Sequence, residues 1–118
     1  MTEPKKPANG EMLQGTLDML ILRTLVMGKA HGHTIAHVIE HTSDDVLQVE
    51  QGSLYPALHR LEERGLVDSE WGLSDKGKRA RFYRLTTTGR QQLKTETAAW
   101  QRYVQTVTHL LTATTQPA

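Results

Sequence analysis

The stretch that decides the fold is QGSLYPALHRLEERGL, residues 51–66. Four of its apolar residues recur three and four positions apart, which is the spacing of one buried helix face. They are Leu54, Ala57, Leu58 and Leu61. Ser53 is placed to cap the helix, Pro56 then falls in the first turn, and Gly65 can adopt the left-handed conformation that ends a helix. The sequence therefore predicts a short amphipathic helix with defined ends.

The opposite face of this helix carries side chains that form hydrogen bonds: Ser53, Tyr55, His59 and Arg60. A polar helix entered through a tight turn suits the second helix of a helix-turn-helix, which lays its polar face in the DNA major groove. An ordinary solvated surface helix would show the same pattern, so this helix alone does not decide between the two.

Composition and length set limits on the class of protein. A chain of 118 residues fits one domain, or one domain with an appended helix. It contains no cysteine, which excludes disulfides and thiolate metal ligands, and its net charge of +1 says little about partners. There is no apolar run long enough to cross a bilayer, and residues 1–10 do not resemble a signal peptide. We expect a soluble cytoplasmic protein without membrane contact, beginning with a disordered tail over residues 1–10.

A first helix is predicted over residues 12–27, ending at Gly28. Its apolar residues, which include Leu13 and Leu17, cover more than one side. A helix of this kind must bury more than one side, so we expect one side to pack in its own domain and another to meet a second subunit.

A second helix is predicted over residues 31–43, with His33, His37 and His41 on one face. Histidines four residues apart can hold a divalent metal ion. The carboxylates that could complete such a site are Glu40, Asp44 and Asp45. We favour a helix that lies over a DNA backbone, where a histidine donates to phosphate, and we predict no metal or cofactor.

A β-hairpin is predicted from two alternating stretches, residues 66–71 and 81–85, joined by the turn-rich segment 72–77. Four cations are expected at its tip: Lys76, Lys78, Arg79 and Arg81. Only Asp75 offsets them. Cations placed on phosphates release condensed counterions, which favours binding without any base contact. A turn enriched in lysine for solubility explains one or two of these charges, but not the run.

A last helix is predicted over residues 90–112, with threonines 86–88 as caps and a frayed tail over 113–118. Two rows of residues seven apart form a seam along it. The seam consists of Leu93, Thr97, Trp100, Val104, Val107 and Leu111. We expect it to pack on another helix, such as the first helix of a second subunit.

Twofold symmetry would bring two copies of Trp100 close together. Paired indoles could then sandwich a small planar aromatic ligand by stacking. Trp100 could equally fill the dimer core, which is the simpler interpretation, and quenching of its fluorescence distinguishes the two.

Several motifs together resemble the PadR-like transcriptional regulators over residues 12–111. They are LQGTLD at 13–18, HG at 31–32, GSLYPALHRLE at 52–62, YRLT at 83–86 and Gly89. The resemblance implies a winged helix-turn-helix that dimerises through its last and first helices. It also implies a repressor, of a kind often released by small molecules.

The resemblance also assigns site residues. It places Ser53, Tyr55, His59 and Arg60 on the DNA-facing side of the recognition helix, and Lys76, Lys78, Arg79 and Arg81 on the wing. This chain has His33 where the family commonly has tyrosine, at a position expected near phosphate.

The fold predicted from the sequence is mainly α with a β-hairpin wing. It comprises a winged helix-turn-helix domain over residues 11–86 and a dimerisation helix over 87–112. The predicted function is a homodimeric regulator that binds double-stranded DNA. A winged-helix module that binds protein instead of DNA is the alternative. An enzyme is not expected, because the chain has no cysteine nucleophile and no glycine-rich phosphate loop.

Overall fold

The computed structural model describes residues 15–116. Its elements in chain order are α1 Thr16–Leu25, β1 Ala30–His31, α2 Gly32–Thr42, α3 Gln51–Glu63, β2 Val67–Leu73, β3 Arg79–Leu85 and α4 Thr87–Thr112. The predicted fold class, helices with a β-hairpin wing, is confirmed. The predicted N-terminal tail, the start of the first helix with Leu13, and the last two residues of the predicted C-terminal tail lie outside the described residues.

The core lies where α1, α2 and α3 meet the base of the hairpin. Ile21 and Leu22 of α1, Ile35 of α2 and Leu58 and Leu61 of α3 are all fully buried. These residues come from one stripe on each helix, and burying all the stripes together is what holds three short helices in one unit. The stripe predicted on α3 therefore faces the core as expected.

The two ends of α3 differ in how well the sequence predicted them. The helix begins at Gln51 with Glu50 at the N-cap position, so the expected cap at Ser53 and the first-turn position of Pro56 are wrong. The reason is that the Glu50 carbonyl already accepts from the Ser53 and Leu54 amides, at 3.1 and 2.9 Å. These bonds extend the helix by a turn at its start.

The C-terminal end of α3 is as predicted. Gly65 has φ of +73°, and the Leu66 amide donates to the Leu61 carbonyl at 2.9 Å. This pair of features is the Schellman ending, which satisfies carbonyls that a helix otherwise leaves unbonded. It also turns the chain sharply from α3 into the wing.

The sheet has one strand that the sequence did not predict. Its order is β1-β3-β2, antiparallel throughout, with Ala30 opposite Tyr83 and His31 opposite Phe82. Two residues are too few to show an alternating pattern, so the sequence contains no signal for β1.

The last helix begins as predicted, with the Thr86 hydroxyl accepting from the Gly89 amide at 3.0 Å. Leu93 is buried in the core of its own chain, and its predicted place at the dimer interface stays a prediction. Beyond Trp100, α4 leaves that core, and Leu110 and Leu111 are exposed.

Candidate nucleic-acid interface

A cleft of about 900 Å³ lies between the hairpin wing, the start of α2 and Tyr55 of α3. We call it the wing cleft. Cationic residues Lys76, Lys78, Arg79 and Arg81 line one wall, and His33, Thr34 and His37 line the other. Among the described residues, the only acid lining it is Asp75. The fold therefore gathers cations from the wing and imidazoles from α2 around one open space.

The inner face of the wing continues the buried face of the hairpin outward. Trp71 lies opposite Arg81 and Leu73 lies opposite Arg79 in the β2–β3 register. The guanidinium carbon of Arg79 is 4.5 Å from the Trp71 ring centroid, and that of Arg81 is 5.5 Å away. Both arginines are within the distance at which a cation is attracted to an indole face. Trp71 therefore lies at the centre of the cationic wall.

Arg81 connects the wing to α3. Its Nε donates to Ser69 Oγ at 2.8 Å, and Ser69 Oγ donates to Glu62 Oε2 at 2.6 Å. Its Nη2 lies 3.4 Å from the same Glu62 oxygen. The sequence predicted Arg81 at the tip end of the second strand, but β3 begins at Arg79, so Arg81 lies further from the turn. Two of its donor groups are already engaged. Lys76 and Lys78 are the cations of the turn itself.

Tyr55 leaves α3 towards α2 and closes the inner end of the wing cleft. Its ring lies against Gly32, where an added Cβ would come within 2.9 Å of the phenolic oxygen and 3.0 Å of the ring. Tyr83 of β3 also lines the cleft, and burial raises the pKa of its phenol. A glycine at the start of α2 is what allows Tyr55 to lie there.

The other polar residues predicted on α3 do not share one face. His59 points outward, with its side chain 78% exposed. Arg60 lies on the flank towards α1, and its Nη2 is 3.0 Å from Asp18 Oδ1. Ser53 is half-buried. The prediction of one common polar face is therefore corrected: Tyr55 and Arg60 lie on opposite flanks of α3.

The histidine face of α2 is exposed along its length. The rings of His37 and His41 stack with centroids 5.8 Å apart. Within residues 15–116, no group of three or more His, Cys, Asp or Glu side chains is arranged to hold a metal ion. His33 and His37 instead line the wing cleft.

The residues of the predicted seam of α4 differ in how exposed they are in a single chain. Thr97, Trp100 and Val107 are half-buried, whereas Val104 and Leu111 are exposed. Leu17 of α1 is half-buried and packs against the core. A recess of about 360 Å³ lies between the start of α1 and α4, lined in part by Met19, Trp100 and Tyr103.

Sequence reasoning missed two features of this site. Trp71 and the Glu62–Ser69 pair were assigned no part in it. A signal was present, because in a paired hairpin residues 69, 71, 79 and 81 fall on one face. Finding it requires the exact register, which the sequence did not provide.

A helix-turn-helix followed by a hairpin wing with a cationic inner wall defines the winged helix-turn-helix class. Comparison with known proteins agrees. The profile of the PadR-like family of transcriptional regulators matches residues 21–95. The chain therefore belongs to the PadR-like family, whose members are transcriptional regulators and not enzymes.

Individual relatives cover most of the chain. A transcriptional regulator of Mycobacterium tuberculosis is 36% identical over 83 residues, which is 70% of this chain and 74% of the relative. A solved transcriptional regulator from Clostridium thermocellum has a TM-score of 0.75 at 28% identity, covering 83% of this chain and 95% of its own. A PadR-like regulator from Bacillus cereus has a TM-score of 0.74 at 26% identity, covering 87% and 98%. Among residues 15–116, no helix is both long and apolar enough to span a membrane.

Proposed function

We propose that this chain is a cytoplasmic transcriptional repressor that binds, as a homodimer, an inverted-repeat operator in double-stranded DNA. The observation that carries the proposal is the wing cleft, in which cations of the wing face the exposed start of α2 and Tyr55 of α3. A duplex offers a row of phosphates to such a surface, and a helix fits its major groove.

In this proposal α3 is the recognition helix. Its contacts to DNA come from Ser53, Tyr55, His59 and Arg60. The wing residues Lys76, Lys78, Arg79 and Arg81 contact the backbone or minor groove, together with His33 of α2. Tyr55 and His59 contribute most on α3, because Arg60 has to leave Asp18 before its guanidinium can reach a phosphate.

Dimerisation is supported by α4. Its second half carries Tyr103, Val104, Leu110 and Leu111 at the surface of a single chain, 38–80% exposed. Apolar groups on a helix that leaves its own core are stabilised by burial in a partner. Two recognition helices related by a twofold would enter successive major grooves roughly 34–36 Å apart.

The test begins with selection of bound sequences from random duplexes by the purified protein, followed by footprinting. Fluorescence anisotropy then measures affinity for the selected duplex. If the dimer contacts roughly 6–10 phosphates, affinity falls about 10³–10⁵-fold between 50 and 200 mM salt. A flat salt dependence contradicts the proposal.

A charge-matched pair of variants separates DNA binding from the alternative, a protein-interaction module. Replacement of Lys76, Lys78 and Arg79 by alanine is expected to reduce the salt dependence and the affinity together. The control replaces Arg90, Lys94 and Arg102, three exposed cations of α4, and changes the net charge equally. If both triple variants behave alike in a DNA-dependent reporter assay, the wing is not a DNA contact.

We further propose that a small planar aromatic ligand releases the repressor by binding beside Trp100. The recess next to this residue supports the proposal, since Trp100 and Tyr103 line it with ring centroids 6.2 Å apart. In a Trp71→Phe background, planar aromatics are expected to quench the remaining Trp100 fluorescence. If a ligand panel gives no quenching, Trp100 only fills the dimer core.

A further inference from the structure

Trp71 has an exposed position that stability alone does not explain. It lies on the same face of β2 as buried Val67, but further out along the wing, and 56% of its surface is exposed. A large aromatic at such a position contributes little to the core. The guanidinium groups of Arg79 and Arg81 lie over its ring.

The two arginines differ in which of their hydrogen-bond donor groups are free. Arg81 donates from Nε to Ser69 and from Nη2 to Glu62, so two of its donor groups are engaged. Among the hairpin arginines within residues 15–116, Arg81 and Arg84 form ion pairs but Arg79 does not. Arg79 is held by the Trp71 ring at 4.5 Å. A guanidinium stacked on an indole uses its flat face and leaves its N–H edge free to donate.

We propose that Trp71 is a positioning residue of the DNA interface, whose indole holds the Arg79 guanidinium on the cleft side of the wing so that it contacts a phosphate. This inference rests on the proposed function. Arg79 is a long, exposed side chain, and an unsupported arginine would adopt many rotamers in water. The stack restricts these rotamers before DNA arrives, so less freedom is lost on binding.

The experiment is a double-mutant cycle on the full chain. Affinity for the selected duplex is measured by anisotropy across a salt series for wild type, Trp71→Ala, Arg79→Ala and the double variant. Loss of one phosphate contact lowers the slope of log affinity against log salt by about 0.9, so a substitution that removes one contact from each protomer of the homodimer lowers it by about 1.8. We expect this change in Arg79→Ala, a weaker form of it in Trp71→Ala, and no further loss in the double variant.

The matched control is Leu73→Ala. Leu73 lies on the same face of the same strand and is 71% exposed, but it offers no aromatic ring. The Leu73→Ala variant should keep the wild-type duplex affinity and salt slope. Additive losses in the double variant, or a Trp71→Ala slope equal to that of the control, overturn the inference.

Two conservative variants keep the test decisive if Trp71→Ala does not fold. Trp71→Phe retains an aromatic ring at this position, whereas Trp71→Leu retains an apolar side chain but no ring. We expect Phe to keep most of the wild-type affinity and slope, and Leu to resemble Arg79→Ala. Equal behaviour of the two contradicts a role through stacking. If wild type itself shows no salt-dependent duplex binding, the proposed function fails. If wild type binds but the Trp71 variants keep its affinity and salt slope, this inference alone fails.

Discussion

Asp18 of α1 and Arg60 of α3 form an ion pair, with Oδ1 and Nη2 3.0 Å apart, on the flank of α3 away from the wing. The Asp18 side chain is 17% exposed and that of Arg60 is 56% exposed. The pair therefore links the first helix to the proposed recognition helix at the border between protein and solvent. A phosphate approaching this flank would compete with Asp18 for the same guanidinium.

This competition gives a prediction for Asp18→Asn. Removing the carboxylate frees Arg60, so duplex affinity should rise by about threefold at low salt, equivalent to the ~0.7 kcal/mol of a partly exposed ion pair. Arg60→Ala should lower it. Anisotropy at 50 mM salt measures both.

The control for Asp18→Asn is Asp68→Asn. Asp68 pairs with Arg84 on the outer face of the sheet, at 3.2 Å, so its loss changes the net charge equally but does not free Arg60. An equal gain in both variants would mean that only total charge matters and that Arg60 makes no DNA contact.

Gly32→Ala is predicted to weaken DNA binding through Tyr55. The new methyl group would lie 2.9–3.0 Å from the Tyr55 ring and hydroxyl, and the tyrosine end is free to move away. We expect a lower duplex affinity, with unfolding free energy changed by less than about 1 kcal/mol because only a side-chain tip shifts. Thermal denaturation and anisotropy on the same sample check this. Loss of stability with unchanged affinity per folded molecule would contradict it.

Gly89→Ala is predicted to destabilise the fold. An added Cβ would overlap the Leu66 carbonyl oxygen, which already accepts from the Thr86 amide at 3.1 Å. Because that obstacle is backbone, we expect a loss of about 1–3 kcal/mol or more in chemical denaturation. Gly52→Ala in α3 is the control, since its Cβ meets open space and alanine favours helix by up to about 1 kcal/mol. Similar stabilities for the two variants would show that α4 can shift freely.

Leu111→Glu is predicted to weaken the dimer without unfolding the chain. Leu111 is 80% exposed in a single chain, so a charge there costs nothing until a partner covers it. Gln105→Glu, at an exposed position on another side of α4, is the control. Sedimentation equilibrium should show a concentration-dependent dimer for wild type and the control, but a monomer for Leu111→Glu. A dimer of unchanged affinity would place the interface elsewhere.

The sequence by itself determined the order of the four helices and the two hairpin strands, because their signals are local. The apolar stripe of α3, the left-handed Gly65 and the cap at Thr86 each depend on residues within one or two turns. The motifs between residues 13 and 89 also indicated the family. They specify the same turns and contacts, at the same spacing, as in the PadR-like regulators.

Only the tertiary structure decided which side chains meet. Whether Arg60 faces DNA or Asp18 depends on the angle between α1 and α3, and the stack of Arg79 on Trp71 depends on the register of β2 and β3. The two-residue strand β1 exists only because β3 offers it an edge. Such choices are made by contacts between residues far apart in the chain, and no local pattern records them.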